Sequence, residues 1–244
     1  MTATLALPTM ESSDLFLYLA NFSIVCIMKI INIGENNSAL NNFMAEIRDS
    51  VIQKDSMRFR SNLERIGAVF AYEISKVLNY SSKDIHTPLG IAKCSTCDNN
   101  IVIASIMRAG LPLHHGMLGI FDKAQNAFIA AYRKYGKDNR FTIHLEYASS
   151  PSVGGKTLLL ADTMLATGSS LVLTYNKLCE SESPEHTHII CPIASTEGIE
   201  YLSKHLPHKT TTLWVGAIDE ELTIKAYIVP GLGDAGDLAY GSKL

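Results

Sequence analysis

The chain has 244 residues, of which 47% are hydrophobic and 18% charged, and its formal net charge is −3. This composition excludes a disordered or collagen-like chain, and the length suits one α/β domain with a sizeable core. A dedicated nucleic-acid-binding protein is disfavoured, because such proteins carry a strong basic excess. A polyanionic ligand would therefore have to be held by a local cluster of basic and hydroxyl groups.

The first 27 residues differ in character from the rest of the chain. The segment 15–28 is almost continuously apolar, but it lacks the basic start of a signal peptide and is shorter than the ~20 residues of a spanning helix. We expect residues 1–27 to be upstream translation or a disordered tail, with a packed extension and a membrane contact as the alternatives. The domain is then expected to cover residues 28–244, with no membrane partner.

Helix-like and strand-like segments alternate along the remainder. Apolar residues at three- and four-residue steps predict one amphipathic helix over residues 59–78, with Val77 on its apolar stripe. Short apolar runs follow at Ile101–Ala104, Thr157–Ala161, His188–Cys191 and Thr212–Ile218, and helix-like stretches at Ser170–Cys179 and Gly198–His205. The alternation predicts an α/β fold with a parallel sheet covered by helices on both faces, and ligands in such sheets bind beyond the carboxyl ends of the strands.

The five cysteines are scattered and odd in number: Cys26, Cys94, Cys97, Cys179 and Cys191. This pattern is typical of a reduced, cytoplasmic protein. Cys94 and Cys97 form a lone C-x-x-C without the second pair or the nearby histidines that a zinc site requires. The sequence therefore predicts no protein-bound metal.

Three segments carry the chemistry. Arg108 follows the Ile101–Ala104 run, and its planar guanidinium could bind a phosphate, as could the later Arg133. The hydroxyl-rich loop 162–170 precedes a helix, whose free N–H groups favour an anion, although the same pattern also suits an ordinary helix cap. Near the C-terminus a glycine-dense loop, residues 226–241, suggests backbone that touches a flat ligand such as a pyrimidine.

Together the segments Ile106–Gly110, Asp162–Ser170 and Tyr227–Asp237 resemble the uracil phosphoribosyltransferase family, over roughly Ile30 to the C-terminus. The resemblance implies a type I phosphoribosyltransferase-like core with a hood formed by the N- and C-terminal segments. It also implies the pyrimidine-salvage reaction in which uracil and phosphoribosyl diphosphate (PRPP) give uridine monophosphate (UMP) and diphosphate, with Mg²⁺ accompanying PRPP. Homodimers or larger homo-oligomers and GTP as an effector are further family properties, left open for this chain.

The resemblance also implies residue roles. The expected catalytic residues are Arg108, Arg133, Asp162 and Asp234. PRPP would contact those four together with Thr163, Met164, Leu165, Ala166, Thr167, Gly168, Ser169 and Ser170. Uracil would contact Tyr227, Ile228, Gly233, Asp234 and Ala235. Residues 133–140 are the hypothesised lid that excludes water from the reaction.

Three residues depart from the family pattern. Thr163 replaces a proline, Ser169 replaces a glycine, and Leu238 replaces a basic residue. These three changes support an alternative function, a catalytically weak or inactive regulatory relative that binds PRPP or UMP. His114 and His115 stand where the family has apolar or small residues, and we interpret them as tuning or surface residues.

Overall fold

The computed structural model describes residues 28–135 and 141–242, with the side chains of 132–135 and 141–144 left out of the description. The helices are α1 (Ala39–Arg48), α2 (Ser56–Ser75), α3 (Gly110–Ile120), α4 (Ser169–Leu178), α5 (Thr196–His205) and α6 (Ala235–Tyr240). The strands are β1 (Lys29–Asn32), β2 (Tyr80–Thr87), β3 (Gly90–Cys97), β4 (Ile101–Met107), β5 (Gln125–Tyr135), β6 (Phe141–Ser149), β7 (Thr157–Ala161), β8 (Met164–Leu165), β9 (His186–Ser195), β10 (Thr211–Asp219), β11 (Glu221–Leu222) and β12 (Ile228–Val229).

A mostly parallel sheet forms the centre of the protein, as predicted. Its strand order is β1-β10-β9-β7-β4-β5-β6, with β8 paired to β9, and within the described part of this sheet β5–β6 is the one antiparallel pair. The four short apolar segments predicted as strands lie within β4, β7, β9 and β10. From β4 the chain continues to β5 on one side, whereas from β7 it continues to β9 and β10 on the other. This reversal between β4 and β7 is the kind of switch point at which α/β sheets bind ligands.

Helices cover both faces of the sheet. Successive residues of a strand point to opposite faces, so Ile103 and Leu159 pack with α1, α2 and α3, whereas Val102 and Leu158 pack with α4 and α5. The C-terminal segment joins the first of these cores through residues that include Leu232. The N- and C-terminal parts of the described chain therefore meet on one face, which is the arrangement expected of the hood.

Helix α2 is displaced from the predicted range 59–78. It begins at Ser56 because the carboxylate of Asp55 accepts hydrogen bonds from the N–H groups of Met57 and Arg58. It ends at Ser75, so Val77 lies beyond the helix and its side chain is 52% exposed. The prediction that Val77 continues the apolar stripe is therefore wrong.

Strands β2 and β3 form a separate antiparallel hairpin that the sequence analysis did not predict. Cys94 and Cys97 both lie on β3, and residues three apart on a strand point to opposite faces. The C-x-x-C therefore cannot present both sulfurs to one ion while β3 keeps this geometry. Within the described residues, no group of three or more His, Cys, Asp or Glu side chains is suited to a metal ion.

The expectations for the N-terminus cannot be compared with the fold, because residues 1–27 lie outside the described part of the chain. Among the helices from residue 28 onward that the structure describes, none combines the length and the apolar character needed to cross a membrane.

Candidate active site

A cleft of about 890 Å³ opens at the carboxyl ends of β4 and β7. One wall is the end of β4 and the residues after it, 106–109, and the floor is the loop 162–168 with the start of α4. Ala130, Ala131 and Glu146 line it from β5 and β6. The C-terminal segment, residues 226–227 and 233–236, completes the lining. The cleft thus lies at the switch point of the sheet and brings the three predicted segments together.

The loop 162–168 is fixed along its length before α4 begins. The Asp162 N–H donates to the Ile190 carbonyl at 3.0 Å, and β8 then pairs with the end of β9. Gly168 follows with φ +78°, a conformation that favours glycine, and caps α4 without a side-chain hydrogen bond to the first turn. The Thr167 and Ser169 hydroxyls lie 2.8 Å apart beside it. This geometry presents a helix N-terminus and hydroxyl groups, which suits an anion.

A buried serine supports the same loop from behind. Ser195, at the end of β9, donates from its Oγ to the Ala166 carbonyl at 2.5 Å and accepts the Gly198 N–H at 2.9 Å. Gly198 itself packs so closely that a Cβ there would overlap the Ala166 carbonyl oxygen. The start of α5 therefore holds the backbone of the loop in place. Nothing in the sequence pattern predicted this contact.

Arg108 lines the cleft just after β4, and its side chain is already engaged with the C-terminal segment. The Met107–Arg108 peptide bond is cis. The guanidinium donates to the Gly241 carbonyl at 3.0 Å and to Asp237 Oδ1 at 2.9 Å, while its side chain remains 33% exposed. Its Nε is buried and has no hydrogen-bond partner among the described residues.

The C-terminal loop turns sharply before reaching the cleft. A cis Val229–Pro230 bond is followed by Gly231 and Gly233, both with positive φ. No atom of the described residues lies within 4 Å of a Cβ placed on Gly233, so its backbone is open toward this part of the structure. Asp234 then begins α6, because its Oδ1 accepts the Asp237 N–H at 3.0 Å.

Most of the predicted site residues line this one cleft. They are Arg108, Asp162, Thr163, Met164, Leu165, Ala166, Thr167, Gly168, Ser170, Tyr227, Gly233, Asp234 and Ala235. Ser169 is not among the lining residues, and the Ile228 side chain is 3% exposed and packs in the core. The side chain of Arg133 and residues 136–140 of the hypothesised lid lie outside the described part of the structure.

Glu146 is a lining residue that the sequence analysis missed. It lies on β6, the antiparallel strand at the edge of the sheet, and is brought to the cleft by the long pairing of β5 with β6. No motif surrounds it in the sequence, and the pairing partner is known only from the fold. Sequence alone therefore offered no signal for it.

His114 is a buried residue, whereas His115 is exposed. The His114 ring stacks on Phe128 and lies between Ser105 Oγ, 3.1 Å from Nδ1, and Asn126 Oδ1, 2.7 Å from Nε2. Since the Asn126 amide nitrogen donates to the Ala124 carbonyl, its oxygen faces the ring, and Nε2 carries the proton. Burial lowers the pKa of His114, which favours this neutral form. The network fixes β4 against α3, so the interpretation of His114 as a surface residue does not apply.

Comparison with known proteins identifies the family. The model of the family described as uracil phosphoribosyltransferase matches residues 35–242. The chain belongs to this family. A uracil phosphoribosyltransferase of Porphyromonas gingivalis is 50% identical over 217 residues, covering 89% of this chain and 100% of that protein. One of Thermococcus gammatolerans is 32% identical, covering 86% and 92% of the two chains. Among solved structures, the AQ2163 protein of Aquifex aeolicus has a TM-score of 0.77 at 27% identity, covering 87% of this chain and 98% of that one.

The three departures from the family pattern have different surroundings. Thr163 is 3% exposed, and Ser169 begins α4 with its hydroxyl next to that of Thr167. Leu238 is half-buried, packs against the main core and is not among the residues that line the cleft. The departure that changes a charge, Leu238, therefore lies in the packing of the core and not in the lining of the cleft.

Proposed function

We propose that this protein transfers the phosphoribosyl group of PRPP to uracil, giving UMP and diphosphate in pyrimidine salvage. The observation that carries the proposal is that one cleft joins an anion-binding helix N-terminus to a loop of exposed backbone. The first feature suits the phosphate of a ribose 5-phosphate, and the second suits the edge of a flat base. Family membership supplies the reaction that connects the two.

The 5-phosphate is proposed to bind the loop 162–170. Its charge is opposite to the partial positive charge at the N-terminus of α4, and Thr167, Ser169 and Ser170 offer hydroxyl donors there. Asp162, directly after β7, is proposed to hold the ribose hydroxyls, since an acidic residue after a strand serves that purpose in nucleotide-binding folds. Its role is to orient the sugar while the ring nitrogen of uracil approaches.

The diphosphate is proposed to contact Arg108 and, by the family pattern, Arg133. Breaking the bond at the anomeric carbon builds negative charge on the departing diphosphate, and a preorganised cation stabilises that charge by about 3–4 kcal/mol. Mg²⁺ bound to the diphosphate would neutralise part of the same charge. The cleft offers the carboxylates of Asp162 and Asp234, hard oxygen donors that suit this ion, and Mg²⁺ commonly binds through one or two carboxylates together with substrate phosphates.

Uracil is proposed to bind against residues 233–235 and Tyr227. Peptide N–H and C=O groups can complement the alternating acceptors and donors of its edge. A base with an amino group where uracil has a carbonyl would leave a buried group unpaired, at a cost of about 1–3 kcal/mol. Ile228 is proposed to contact uracil through its backbone, because its side chain packs in the hydrophobic core.

Other expectations rest on the family pattern alone and are kept as proposals. They are a homodimer or larger homo-oligomer, a cytoplasmic location, GTP as a candidate effector, the lid at residues 133–140 and a domain that starts near residue 28. The alternative of an inactive regulatory relative gains no support from Leu238, because that residue does not line the cleft.

The test is product formation by the purified protein with Mg²⁺, PRPP and labelled uracil, with cytosine, thymine and orotate in parallel. We expect UMP from uracil and no nucleotide from the other bases. Arg108→Ala should lower kcat/KM for PRPP by about 10²–10³-fold, whereas Arg58→Ala, a half-exposed arginine outside the cleft, should not. PRPP binding without product from any base would favour the regulatory relative instead.

A further inference from the structure

The base-binding wall of the cleft is anchored by a charged pair that lies outside the cleft. Arg48 is the last residue of α1, and Asp219 is the last residue of β10. The two guanidinium nitrogens of Arg48 lie 2.9 and 3.0 Å from the two carboxylate oxygens of Asp219, and the Asp219 side chain is 8% exposed. Such a bidentate pair fixes the orientation of both side chains as well as their distance. Neither residue lines the cleft.

This pair also holds the backbone of the C-terminal loop. Asp219 Oδ2 accepts the Gly231 N–H at 2.9 Å, and the Arg48 guanidinium approaches the Gly231 carbonyl at 3.4 Å. In the amide orientation that satisfies its neighbours, Gln53 donates to the Ile47 and Leu232 carbonyls at 2.9 and 3.0 Å. Residues of the segment 48–53 therefore contact the C-terminal loop at two successive residues, Gly231 and Leu232.

The contact at Gly231 lies close to the residues that are proposed to bind the base. Gly231 has φ +52°, and a Cβ there would overlap the Ile228 carbonyl oxygen, so the chain is tightly folded at this point. Gly233 follows two residues later, open to the cleft. A loop rich in glycine loses much backbone entropy when it is ordered, so it stays in one conformation only if other contacts hold it. Asp219 supplies a charge-assisted hydrogen bond of the kind needed.

We propose that Arg48 and Asp219 are positioning residues for base recognition. They fix Gly231, and through it the backbone of residues 233–235 against which the base binds. The inference rests on the proposed function, because it concerns the base subsite of that cleft. It assigns the pair no contact with the ribose phosphate, for which the loop 162–170 is the proposed site.

The test compares binding of UMP with binding of ribose 5-phosphate, by calorimetry, on the full chain. Asp219→Asn keeps the shape of the side chain and an acceptor for the Gly231 N–H but removes the charge. Arg48→Lys keeps the charge but loses the planar guanidinium that binds the carboxylate through two nitrogens. We expect each to weaken UMP binding by about tenfold and to leave ribose 5-phosphate binding within about twofold. Arg58→Lys, in the exposed pair with Glu46, is the matched control and should change neither.

Three results would overturn the inference. One is a folded variant with a lowered melting temperature but unchanged binding of both ligands, which would make the pair merely structural. Another is an equal loss for UMP and ribose 5-phosphate, which would indicate general loosening of the cleft. The third is a wild-type protein that does not bind UMP at all. Absence of UMP synthesis by a wild-type protein that binds UMP would instead count against the proposed function, and the binding comparison would still decide the role of the pair.

Discussion

The guanidinium of Arg108 binds the C-terminal segment and, in the proposed function, also the diphosphate. Two of its N–H groups are directed to Asp237 and the Gly241 carbonyl, both in the C-terminal segment. An arginine has five N–H donors, so these contacts leave others for a ligand. Asp237 also follows Asp234 by one helical turn in α6. The arginine expected at the diphosphate is therefore oriented by the same short helix that begins at the residues proposed to bind the base.

Replacing Asp237 with asparagine tests this orientation. Asp237→Asn should raise KM for PRPP about three- to tenfold, because the guanidinium loses its charged partner and samples more conformations. KM for uracil should change little, since the backbone N–H of residue 237 still donates to Asp234 Oδ1. Stability should fall by no more than about 1 kcal/mol, because the pair is partly exposed. Initial-rate kinetics and denaturant unfolding measure these quantities.

Glu180→Gln on the remote Lys177–Glu180 pair is the control for removal of a surface carboxylate. A lower KM for PRPP in Asp237→Asn would contradict the prediction, since it would mean that Asp237 competes with the diphosphate for Arg108.

At the residue scale, sequence motifs predicted which residues share the cleft better than they predicted the contacts between them. Arg108, Asp162 and Asp234 line one cleft as the resemblance implied. The partner of Arg108 was not predicted, because Asp237 is 129 positions away and the pairing depends on how the C-terminal segment folds back. The exposed Val77 was misplaced because periodicity alone does not indicate where a helix ends.

At the scale of elements, the loop 162–168 is held by contacts with α5 as well as by the strand before it. Ser195 connects the two, since its hydroxyl serves both the Ala166 carbonyl and the first turn of α5. Both of these backbone groups are buried, so each would lose its partner if the hydroxyl were removed.

Ser195→Ala should therefore lower the free energy of unfolding by about 1–3 kcal/mol and raise KM for PRPP more than KM for uracil. The reason is that an unsatisfied carbonyl at Ala166 would loosen the loop proposed to bind the 5-phosphate. Urea unfolding and initial-rate kinetics check the two effects. Ser203→Ala, on the same helix but away from the loop, is the control. Unchanged stability together with equal changes in both KM values would show that the hydroxyl does not support the loop.

The four strands predicted from the sequence are buried over most of their length, whereas the exposed β2–β3 hairpin was not predicted. Strand β7 is buried at every position, so its unbroken apolar run was recognisable. The β2–β3 hairpin is exposed over most of its length and carries mixed polar residues, so neither periodicity nor hydropathy marks it. Strand β6 was missed for a related reason, since its pairing with β5 is determined by tertiary structure rather than by its own residues.

For the whole molecule, buried histidines make stability depend on pH. His188 is 4% exposed and accepts a hydrogen bond from Trp214 Nε1 at its Nδ1, 3.0 Å away. Burial, with smaller contributions from His186 and Lys29, lowers its pKa to about 3. The unfolded chain, with histidine near pKa 6.5, therefore binds more protons than the folded protein below that pH.

The free energy of unfolding should consequently decrease as the pH falls from about 6.5 to 5, by up to about 1.4 kcal/mol per pH unit from His188. His188→Gln removes the titrating group while keeping an acceptor for Trp214, so it should flatten this part of the curve. Denaturant unfolding at pH 7.5, 6 and 5 measures both slopes. Parallel curves for the variant and the wild type would mean that His188 is not responsible.

At the same scale, the fold class and the side of the sheet that carries the cleft followed from the sequence, because strand–helix alternation determines both. The residues that hold the cleft walls in place did not follow. Arg48 and Asp219 are 171 positions apart, and neither lies in the segments 106–110, 162–170 or 227–237. Their role became visible only when the fold brought α1 next to the C-terminal loop.

The most direct test of the account is a crystal structure of the protein with UMP. We predict the phosphate at the N-terminus of α4, against residues 167–170, and the uracil ring against the backbone of residues 233–235. A UMP molecule whose base lies away from the C-terminal loop, or whose phosphate lies away from α4, would contradict the assignment of this cleft as the site of phosphoribosyl transfer.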